Sequence, residues 1–335
     1  MRLVIATPLY PPEIGGPATY ANLLVEGLPK KGIEVELVKF SDVRHLPKIV
    51  RHYAYYRRVL RAARYADVIL ALDPVSVGLP AMWAAKRAKK PFVVKIVGDY
   101  AWEQGQQRFG ITQNLDEFVM TKKVPFFVHV FRKIQMRVAQ SATKIIVPSE
   151  YLKGIVEAWG IPGGKISVIY NGVEIPAHIP THEKNNEEFL IMSAGRRVPW
   201  KRFEAIECVA QKHPKWRVFI ASGLPRAEML RWIKTADVFV LNSLYEGFPH
   251  VLVEAMTLGT PVIATNAGGN TTLIVNGETG ILIPPADDAA LEQALVMISN
   301  DPDAAHMRAR AAQKRMDNFS LPHMLDATAE FLKSL

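Results

Sequence analysis

Short runs of apolar and β-branched residues alternate with helical stretches along most of the chain, and this alternation constrains the fold more than any other feature. A strand, a helix and a further strand in series build a parallel sheet. Runs dominated by apolar residues, such as VVKIV, indicate strands that are covered on both faces. The predicted strands of the first half cover residues 3–7, 34–39, 68–72, 92–97, 144–147 and 166–169.

The alternation breaks once, at residues 175–189, which are polar, contain proline and lack a period. We interpret this stretch as a linker. Strands are then predicted at 189–194, 217–221, 238–241, 262–264 and 280–283. The sequence therefore predicts an α/β protein with two Rossmann-like doubly wound domains, 1–178 and 179–316. Ligands bind at the carboxyl ends of such sheets, so a cleft is expected where the two ends face each other.

Charge and cysteine content suggest a cytoplasmic protein with an anionic partner. The single cysteine, Cys208, excludes an internal disulfide and fits a reducing compartment. No segment is typical of a membrane span or a signal peptide. Residues 1–178 contain 25 Lys and Arg against 14 Asp and Glu, whereas residues 179–335 contain 16 against 18. The excess predicts that the first half meets a membrane surface, an acidic substrate or nucleic acid, unless it serves solubility alone.

Residues 44–65 concentrate this charge, with seven Lys and Arg and no acid. They predict a basic amphipathic helix that is peripheral on the inner face of an anionic membrane. Packing of the apolar stripe on the domain's own sheet is an equal alternative, and both can hold at once. The predicted stripe is Leu46, Ile49, Val50, Tyr53, Leu60 and Ala63, and the tyrosines expected at the interface are Tyr55, Tyr56 and Tyr65.

Four segments are candidates for a functional site. In two of them, glycines or cations follow a predicted strand. Gly15 and Gly16 lie between the first strand and the first helix, where backbone without Cβ atoms can approach an anion at a helix N-terminus. Taken alone, such a glycine pair is more often a simple turn. Arg196 and Lys201 follow the first strand of the second domain, and two cations there suit a diphosphate. The alternative is a solvated basic turn.

The other two segments contribute carboxylates. In YEGFPHVLVEAM, Glu246 precedes a helix that Pro249 helps to start, and Glu254 falls in the second turn of that helix. A carboxylate accepts two hydrogen bonds from vicinal hydroxyls, which a sugar and a ribose both offer. The backbone N–H groups of Gly247 and Phe248 are expected to point at the cleft. Asp99 directly follows a strand. Capping, surface exposure and a turn are the plain structural alternatives for these acids.

These segments together resemble glycosyltransferase family 4, the retaining glycosyltransferases with the GT-B fold. The resemblance runs over nearly the whole chain, and its most specific part is the Glu246–Glu254 block with its flanks. The other matching segments are PPEIGGP, VPSEYL, VIYNGVE, GRRVPWK, ADVFVLNS, TPVIATNAGG and NGETGILIPPAD.

The resemblance implies a role for each matching position. Arg196 and Lys201 would hold the donor diphosphate, Glu246 would contact the transferred sugar and Glu254 the ribose. Residues 317–335 would form a helix that crosses back onto the first domain. The implied catalytic residues are Glu246, Asp99, Arg196 and Lys201, and the implied donor-binding residues are Gly15, Gly16, Gly223, Leu224, Gly247, Phe248, Pro249 and Glu254.

The chain departs from the family pattern at three places. Gly98 stands where members often have a histidine that serves the donor sugar, which gives Asp99 a larger role or reduces activity. The segment 201–237 is short by one βα unit, so the base pocket would rest on Ser222, Gly223 and Leu224. Thr272 replaces a frequent glutamate.

The expected reaction moves a hexose from a nucleotide-diphosphate sugar to a glycan or lipid-linked acceptor, without cofactor or metal. Cations and helix N-termini would stabilise the departing diphosphate, and Asp301-Pro302-Asp303 is interpreted as a helix cap rather than a metal site. A dehydrogenase lacks its G-x-G-x-x-G and a P-loop NTPase lacks its glycine pattern here. A sugar-nucleotide-binding protein with degenerate activity and a sugar-nucleotide epimerase remain open alternatives. Nucleic acid is not expected as a partner.

Overall fold

The computed structural model describes residues 1–13, 15–185 and 187–335, with residues 48 and 49 described by their backbone alone. The chain forms two compact units, Met1–Asn171 with Leu321–Leu335, and Gly172–Ser320. Each unit is built around a parallel sheet, which confirms the predicted α/β class and the two Rossmann-like domains. Among the described residues, none of the helices is long and apolar enough to cross a membrane.

The first unit contains a six-stranded parallel sheet in the order β2-β1-β3-β4-β5-β6. The inner strands β1, β3, β4 and β5 are buried along most or all of their length, as their apolar runs predict, whereas the edge strands β2 and β6 are only partly buried. Each lies within two residues of its predicted bounds. The strands are β1 Arg2–Thr7, β2 Glu34–Lys39, β3 Val68–Ala71, β4 Phe92–Lys95, β5 Lys144–Val147 and β6 Ile166–Val168.

Helices connect these strands, and several begin at a side chain that caps them. Asn114 and Glu117 form a reciprocal capping box, and Ser149 accepts the N–H of Leu152. The helices of this unit are α1 Gly16–Gly27, α2 Lys48–Ala63, α3 Gly78–Ala88, α4 Tyr100–Arg108, α5 Leu115–Met120, α6 Phe126–Ser141, α7 Glu150–Ala158 and α14 Leu321–Lys333.

The last helix, α14, completes the core of the first unit. It begins at Leu321, and its Met324, Leu325 and Leu332 join the buried cluster beneath β1 and β3. Leu325 packs directly on Gly27, where even a single added Cβ would lie 2.3 Å from its side chain. The first unit therefore depends on the end of the chain for part of its apolar core.

The second unit contains five parallel strands in the order β11-β10-β9-β7-β8. One strand, β8, separates β7 from β9 in the sequence, in accordance with the expected shortening of this domain. The strands are β7 Phe189–Ala194, β8 Trp216–Ala221, β9 Val238–Leu241, β10 Val262–Thr265 and β11 Ile281–Ile283. The helices are α8 Phe203–Ala210, α9 Arg226–Thr235, α10 His250–Thr257, α11 Asn270–Leu273, α12 Asp288–Asn300 and α13 Pro302–Arg315.

The predicted orientation of the basic helix α2 is partly wrong. Tyr55 is fully buried and its hydroxyl donates to the carbonyl of Val38 at 2.8 Å, so it does not lie at an exposed interface. Val50 and Tyr53, predicted on the core-facing stripe, are 50% and 60% exposed. The side chain of Ile49 lies outside the described residues. Two sets of apolar residues in this helix have helical spacing. Packing against the sheet buries the set that contains Tyr55 and Val59, and spacing alone does not indicate which set is buried.

Candidate functional site

The order of the second sheet brings two loops together at its carboxyl edge. β7 lies between β8 and β9 in the sheet. The chain passes from β7 to its neighbour β8 on one side and then returns to form β9 on the other side of β7. Such a reversal of strand order is the usual place for a ligand in an open α/β sheet. The loops after β7 and β9 carry Arg196 and Lys201, and Glu246, respectively. Leu244 N donates to Trp200 O at 2.7 Å and joins the two loops directly.

Lys201 and Glu246 form an ion pair at this point. Lys201 ends the short 3₁₀ helix Pro199–Lys201, and its Nζ lies 2.5 Å from Oε1 of Glu246. Both side chains are mostly buried, so solvent screens the pair less than it screens a surface ion pair. The lysine runs across Gly195, where an added Cβ would come within 3.2 Å of its Cε. A cation and a carboxylate predicted to serve the same ligand are therefore in direct contact.

The glycines after β10 support the backbone of the Glu246 loop. Gly269 N donates to Glu246 O at 2.7 Å. An added Cβ on Gly268 would lie 2.1 Å from that same oxygen, and one on Gly269 would lie 2.3 Å from Gly247 O. The two chain segments approach so closely that only glycine fits. The TNAGG sequence carried this signal, although the glycine pair was not among the predicted site residues.

Glu254 forms the second ion pair, with Arg226. Glu254 is buried in α10, and its Oε1 accepts from Nε of Arg226 at 2.7 Å. The Nη2 of the same guanidinium donates to Glu174 O at 2.7 Å. Burial raises the pKa of the Glu254 carboxyl, and the charge of Arg226 partly offsets that rise. Arg226 was missed in the sequence, where a cation two residues after Leu224 at a strand-to-helix junction was the available signal.

The remaining predicted residues of this unit frame the two pairs. Arg196 is exposed in the loop after β7, and Gly223 and Leu224 connect β8 to α9. Gly223 has a left-handed backbone (φ 76°) that favours glycine. Pro249 is the cap residue of α10, which begins at His250. Gly247 and Phe248 lie between Glu246 and this cap, and the Phe248 ring packs 6.0 Å from that of Phe319.

In the first unit, the glycine pair lies at a helix start. Gly15 is the cap residue of the twelve-residue helix α1, with φ 153°, and Gly16 is its first residue. An added Cβ on Gly16 would meet no atom of the described residues within 4 Å. A helix N-terminus favours an anion, and the donor-binding role of the glycine pair stays a prediction.

Asp99 serves its own helix. It is buried, and its Oδ1 accepts from the N–H of Trp102 at 2.9 Å, which makes it the N-cap of α4. Burial raises the pKa of its carboxyl, and the Trp102 hydrogen bond counteracts this. Asp99 was predicted to follow the strand directly, but β4 ends at Lys95, and Asp99 instead lies four residues further on, as the cap of α4.

Lys95, the last residue of β4, is buried and was not among the residues predicted from the sequence. Its Nζ donates to Oδ1 of Asn171 at 2.6 Å and lies 3.7 Å from the centre of the Tyr20 ring. Burial lowers the pKa of the Lys95 amine well below its usual value. A polar interruption in the apolar run VVKIV was the only signal.

Carboxylates elsewhere do not gather into a metal site in the part of the chain that the structure describes. No cluster of three or more His, Cys, Asp or Glu with the geometry for a metal ion occurs there. Asp301 accepts from Ala304 N at 3.0 Å and caps α13, which confirms the interpretation of Asp301-Pro302-Asp303 as a helix start.

Comparison with known proteins gives consistent similarities for both units. Residues 14–175 match the family described as Glycosyltransferase Family 4, and residues 203–315 match Glycosyl transferases group 1. A glycogen synthase of Mycobacterium tuberculosis is 39% identical over 123 residues, or 36% of this chain. A UDP-Gal:alpha-D-GlcNAc-diphosphoundecaprenol alpha-1,3-galactosyltransferase of Escherichia coli is 26% identical over 72% of this chain and 69% of its own length.

Among solved structures, HepE of Anabaena in complex with UDP matches with a TM-score of 0.77 at 18% identity, covering all of both chains. At this identity the likeness concerns the fold. The segment shared with the M. tuberculosis glycogen synthase spans only 30% of the length of that relative.

Proposed function

Because the chain belongs to the family 4 and group 1 glycosyltransferases, we propose that it is a retaining, metal-independent hexosyltransferase. It takes the hexose from a nucleotide-diphosphate donor and passes it to a glycan or lipid-linked acceptor. The observation that carries the proposal is the Lys201–Glu246 contact at the point where the strand order of the second sheet reverses.

The ion pair explains how the site would receive a donor. A diphosphate is a stronger partner for an ammonium group than one carboxylate, because it offers more acceptor oxygens and more charge. Donor binding would draw Lys201 to the phosphates and release Glu246 to accept hydrogen bonds from the sugar hydroxyls. Arg196, exposed in the same loop, would provide a second cation.

Leaving-group stabilisation would then be the main source of catalysis. As the anomeric C–O bond breaks, negative charge grows on the diphosphate, and Lys201 and Arg196 oppose it. The acceptor hydroxyl attacks the same face, its oxygen bonds to the anomeric carbon, and its proton passes to the departing phosphate. A double displacement would need Glu246 as the nucleophile. In the proposed donor complex the Glu246 carboxylate accepts hydrogen bonds from the sugar hydroxyls, so we favour the same-face route.

The nucleotide would occupy the loop after β8 and the second carboxylate. Arg226 already uses Oε1 of Glu254, which leaves Oε2 for a ribose hydroxyl, and Gly223 and Leu224 would face the base. We propose a UDP-hexose as donor. Support comes from HepE, which was solved with UDP and with UDP-glucose, and from the E. coli relative, whose name specifies UDP-Gal.

A lipid-linked acceptor would place the enzyme at a membrane. The same E. coli relative is named for a diphosphoundecaprenol acceptor. On this chain, Arg57, Arg61 and Arg64 are exposed along α2, and they would attract anionic headgroups.

The test is a thermal-shift screen against UDP-, GDP- and ADP-sugars, followed by turnover of the stabilising donor. Lys201→Ala, Glu246→Ala and Arg196→Ala should each lower kcat by about 10²–10³-fold, the usual loss for one preorganised contact. Arg197→Ala, which removes the neighbouring exposed cation, is the matched control and should retain wild-type turnover.

Equal turnover in all four variants would refute the site. Donor stabilisation without hydrolysis or transfer by the wild type would establish the alternative, a sugar-nucleotide-binding protein with degenerate activity. The shortened second domain and Gly98 are the features that keep this second candidate in the test.

A further inference from the structure

The connection between α5 and α6 exposes an unusual amount of apolar surface. Met120 is 79% exposed, Phe126 73% and Phe127 58%. Met120 and Phe126 are the two most exposed large hydrophobic side chains among the described residues. Single exposed apolar residues are ordinary, but three within eight positions indicate a surface that something else covers.

This surface is held in a defined shape. The guanidinium of Arg132 in α6 donates to Thr121 O at 2.6 Å and to Phe118 O at 2.8 Å, which fixes the end of α5 against α6. The Phe127 ring stacks on Phe109 at 5.7 Å and lies 5.5 Å from that of Phe126. The exposed side chains therefore project from an anchored base.

The charge of the segment is of one sign. Lys122 and Lys123 are exposed between Met120 and Phe126. Residues 118–149 contain six Lys and Arg and no Asp or Glu. Aromatic rings beside lysines on a basic background are what a bilayer interface selects, since the rings enter the headgroup region and the ammonium groups reach the phosphates.

We propose that residues 120–127 form a membrane-insertion surface for an anionic bilayer. Met120, Phe126 and Phe127 enter the boundary between headgroups and acyl chains, and Lys122 and Lys123 contact lipid phosphates. The charge complementarity favours lipid over a second copy of this basic unit, which would meet like charge. The exposed face of α2 then acts by long-range attraction, while residues 120–127 supply the apolar contact.

The location also suits the proposed function, on which this inference only partly rests. Tyr100, which follows Asp99, packs 5.5 Å from Phe131, and Phe131 lies 6.3 Å from Phe109. One row of aromatic rings thus extends from the loop after β4 to the exposed Phe127. A membrane-linked acceptor would meet the first unit beside this row.

The experiment is flotation of the full chain with vesicles of phosphatidylcholine, with or without about 30% phosphatidylglycerol, at low and high salt. Wild type should bind the anionic vesicles, and less at high salt. Lys122→Glu with Lys123→Glu, and separately Phe126→Ser with Phe127→Ser, should each lower the partition coefficient by more than about tenfold. All four side chains are exposed, so folding should survive, as a thermal melt will verify.

Matched controls separate this surface from general charge or apolarity. Lys86→Glu with Arg87→Glu removes two other exposed cations of the first unit, and Met297→Ser with Met307→Ser removes two exposed apolar residues of the second. Both controls should bind within about twofold of wild type. Losses in the controls equal to those in the 120–127 variants would overturn the proposal.

A site-specific probe distinguishes insertion from adsorption. With the exposed Cys208 changed to Ser, a polarity-sensitive fluorophore is attached at Phe127→Cys or at Tyr53→Cys in α2. Anionic vesicles should shift the emission to the blue at position 127 and leave it nearly unchanged at position 53. A shift only at position 53, or no vesicle binding by the wild type, overturns the proposal. Donor is absent throughout, so neither result depends on the proposed transfer activity.

Discussion

Replacing Gly269 with alanine tests whether the loop after β10 sets the position of Glu246. Gly269 has helical backbone angles, φ −68° and ψ −9°, which alanine adopts without strain. A Cβ there would lie 2.3 Å from Gly247 O and 3.2 Å from the Cα of Phe248. Both neighbours are backbone atoms, so the clash is relieved only if the main chain of one loop moves.

The required movement gives the expected magnitude. The Cβ and Gly247 O have to separate from 2.3 Å to at least 3.0 Å. The hydrogen bond from Gly269 N to Glu246 O, 2.7 Å long, carries the displacement to the residue that is to contact the sugar. A shift of about 1 Å at a catalytic group can cost about 10²-fold in rate. We expect that loss in kcat, together with about 1–3 kcal/mol of destabilisation from overpacking.

The assay measures release of nucleoside diphosphate from the donor, alongside a thermal melt. Gly154→Ala is the control, because Gly154 lies inside α7 and an added Cβ there meets no atom within 4 Å. Its kcat should be unchanged and its stability equal or higher by about 0.5–1 kcal/mol, since alanine favours a helix interior. Wild-type kcat in Gly269→Ala would show that this loop does not position Glu246.

Three further outcomes are expected. Turnover should survive EDTA, because we propose that Arg196 and Lys201 stabilise the leaving group; loss on chelation that Mg²⁺ or Mn²⁺ restores would contradict this. Burial lowers the pKa of the Lys95 amine, so between that pKa and the ordinary lysine value the unfolded chain binds more protons than the folded one. The free energy of unfolding should therefore rise with pH across that window, by up to about 1.4 kcal/mol per pH unit. Urea unfolding of Lys95→Met should show a flatter pH dependence than wild type, and equal slopes would refute the lowered pKa. Arg226→Met should raise the pKa of Glu254 further, because the offsetting positive charge is lost. As the solution is acidified, donor affinity should then weaken at a higher pH than in wild type. Measurements of the donor Kd against pH test this, and identical profiles would show that Arg226 does not set the protonation of Glu254.

The buried parallel strands were predictable because their sequences are mostly apolar, and β5, β7 and β9 have their predicted bounds. The orientation of α2 was not predictable from the sequence, because its apolar residues fit two helical faces and only contact with the sheet decides which face is buried. Arg226 and Gly269 were not among the predicted site residues for a related reason. Local sequence marks both positions, but their importance arises from residues distant in the chain, Glu254 and Gly247, and the local pattern does not identify these partners.

Because local patterns do not record contacts between distant residues, the sequence predicted several residues of the candidate site but not which of them form ion pairs. Lys201 and Glu246 are 45 residues apart, and Arg226 and Glu254 are 28 apart. The family resemblance assigned each of the two carboxylates to a ligand hydroxyl and gave it no protein partner. The strand order decides otherwise, because placing β9 next to β7 brings the loop of Glu246 against the loop of Lys201. Each carboxylate is therefore paired with a cation. On the proposed function, a donor would displace Lys201 from Glu246 before that carboxylate could hold the sugar. Binding would then be an exchange of ionic partners, and the affinity should depend on the charge of the diphosphate more than on the identity of the hexose.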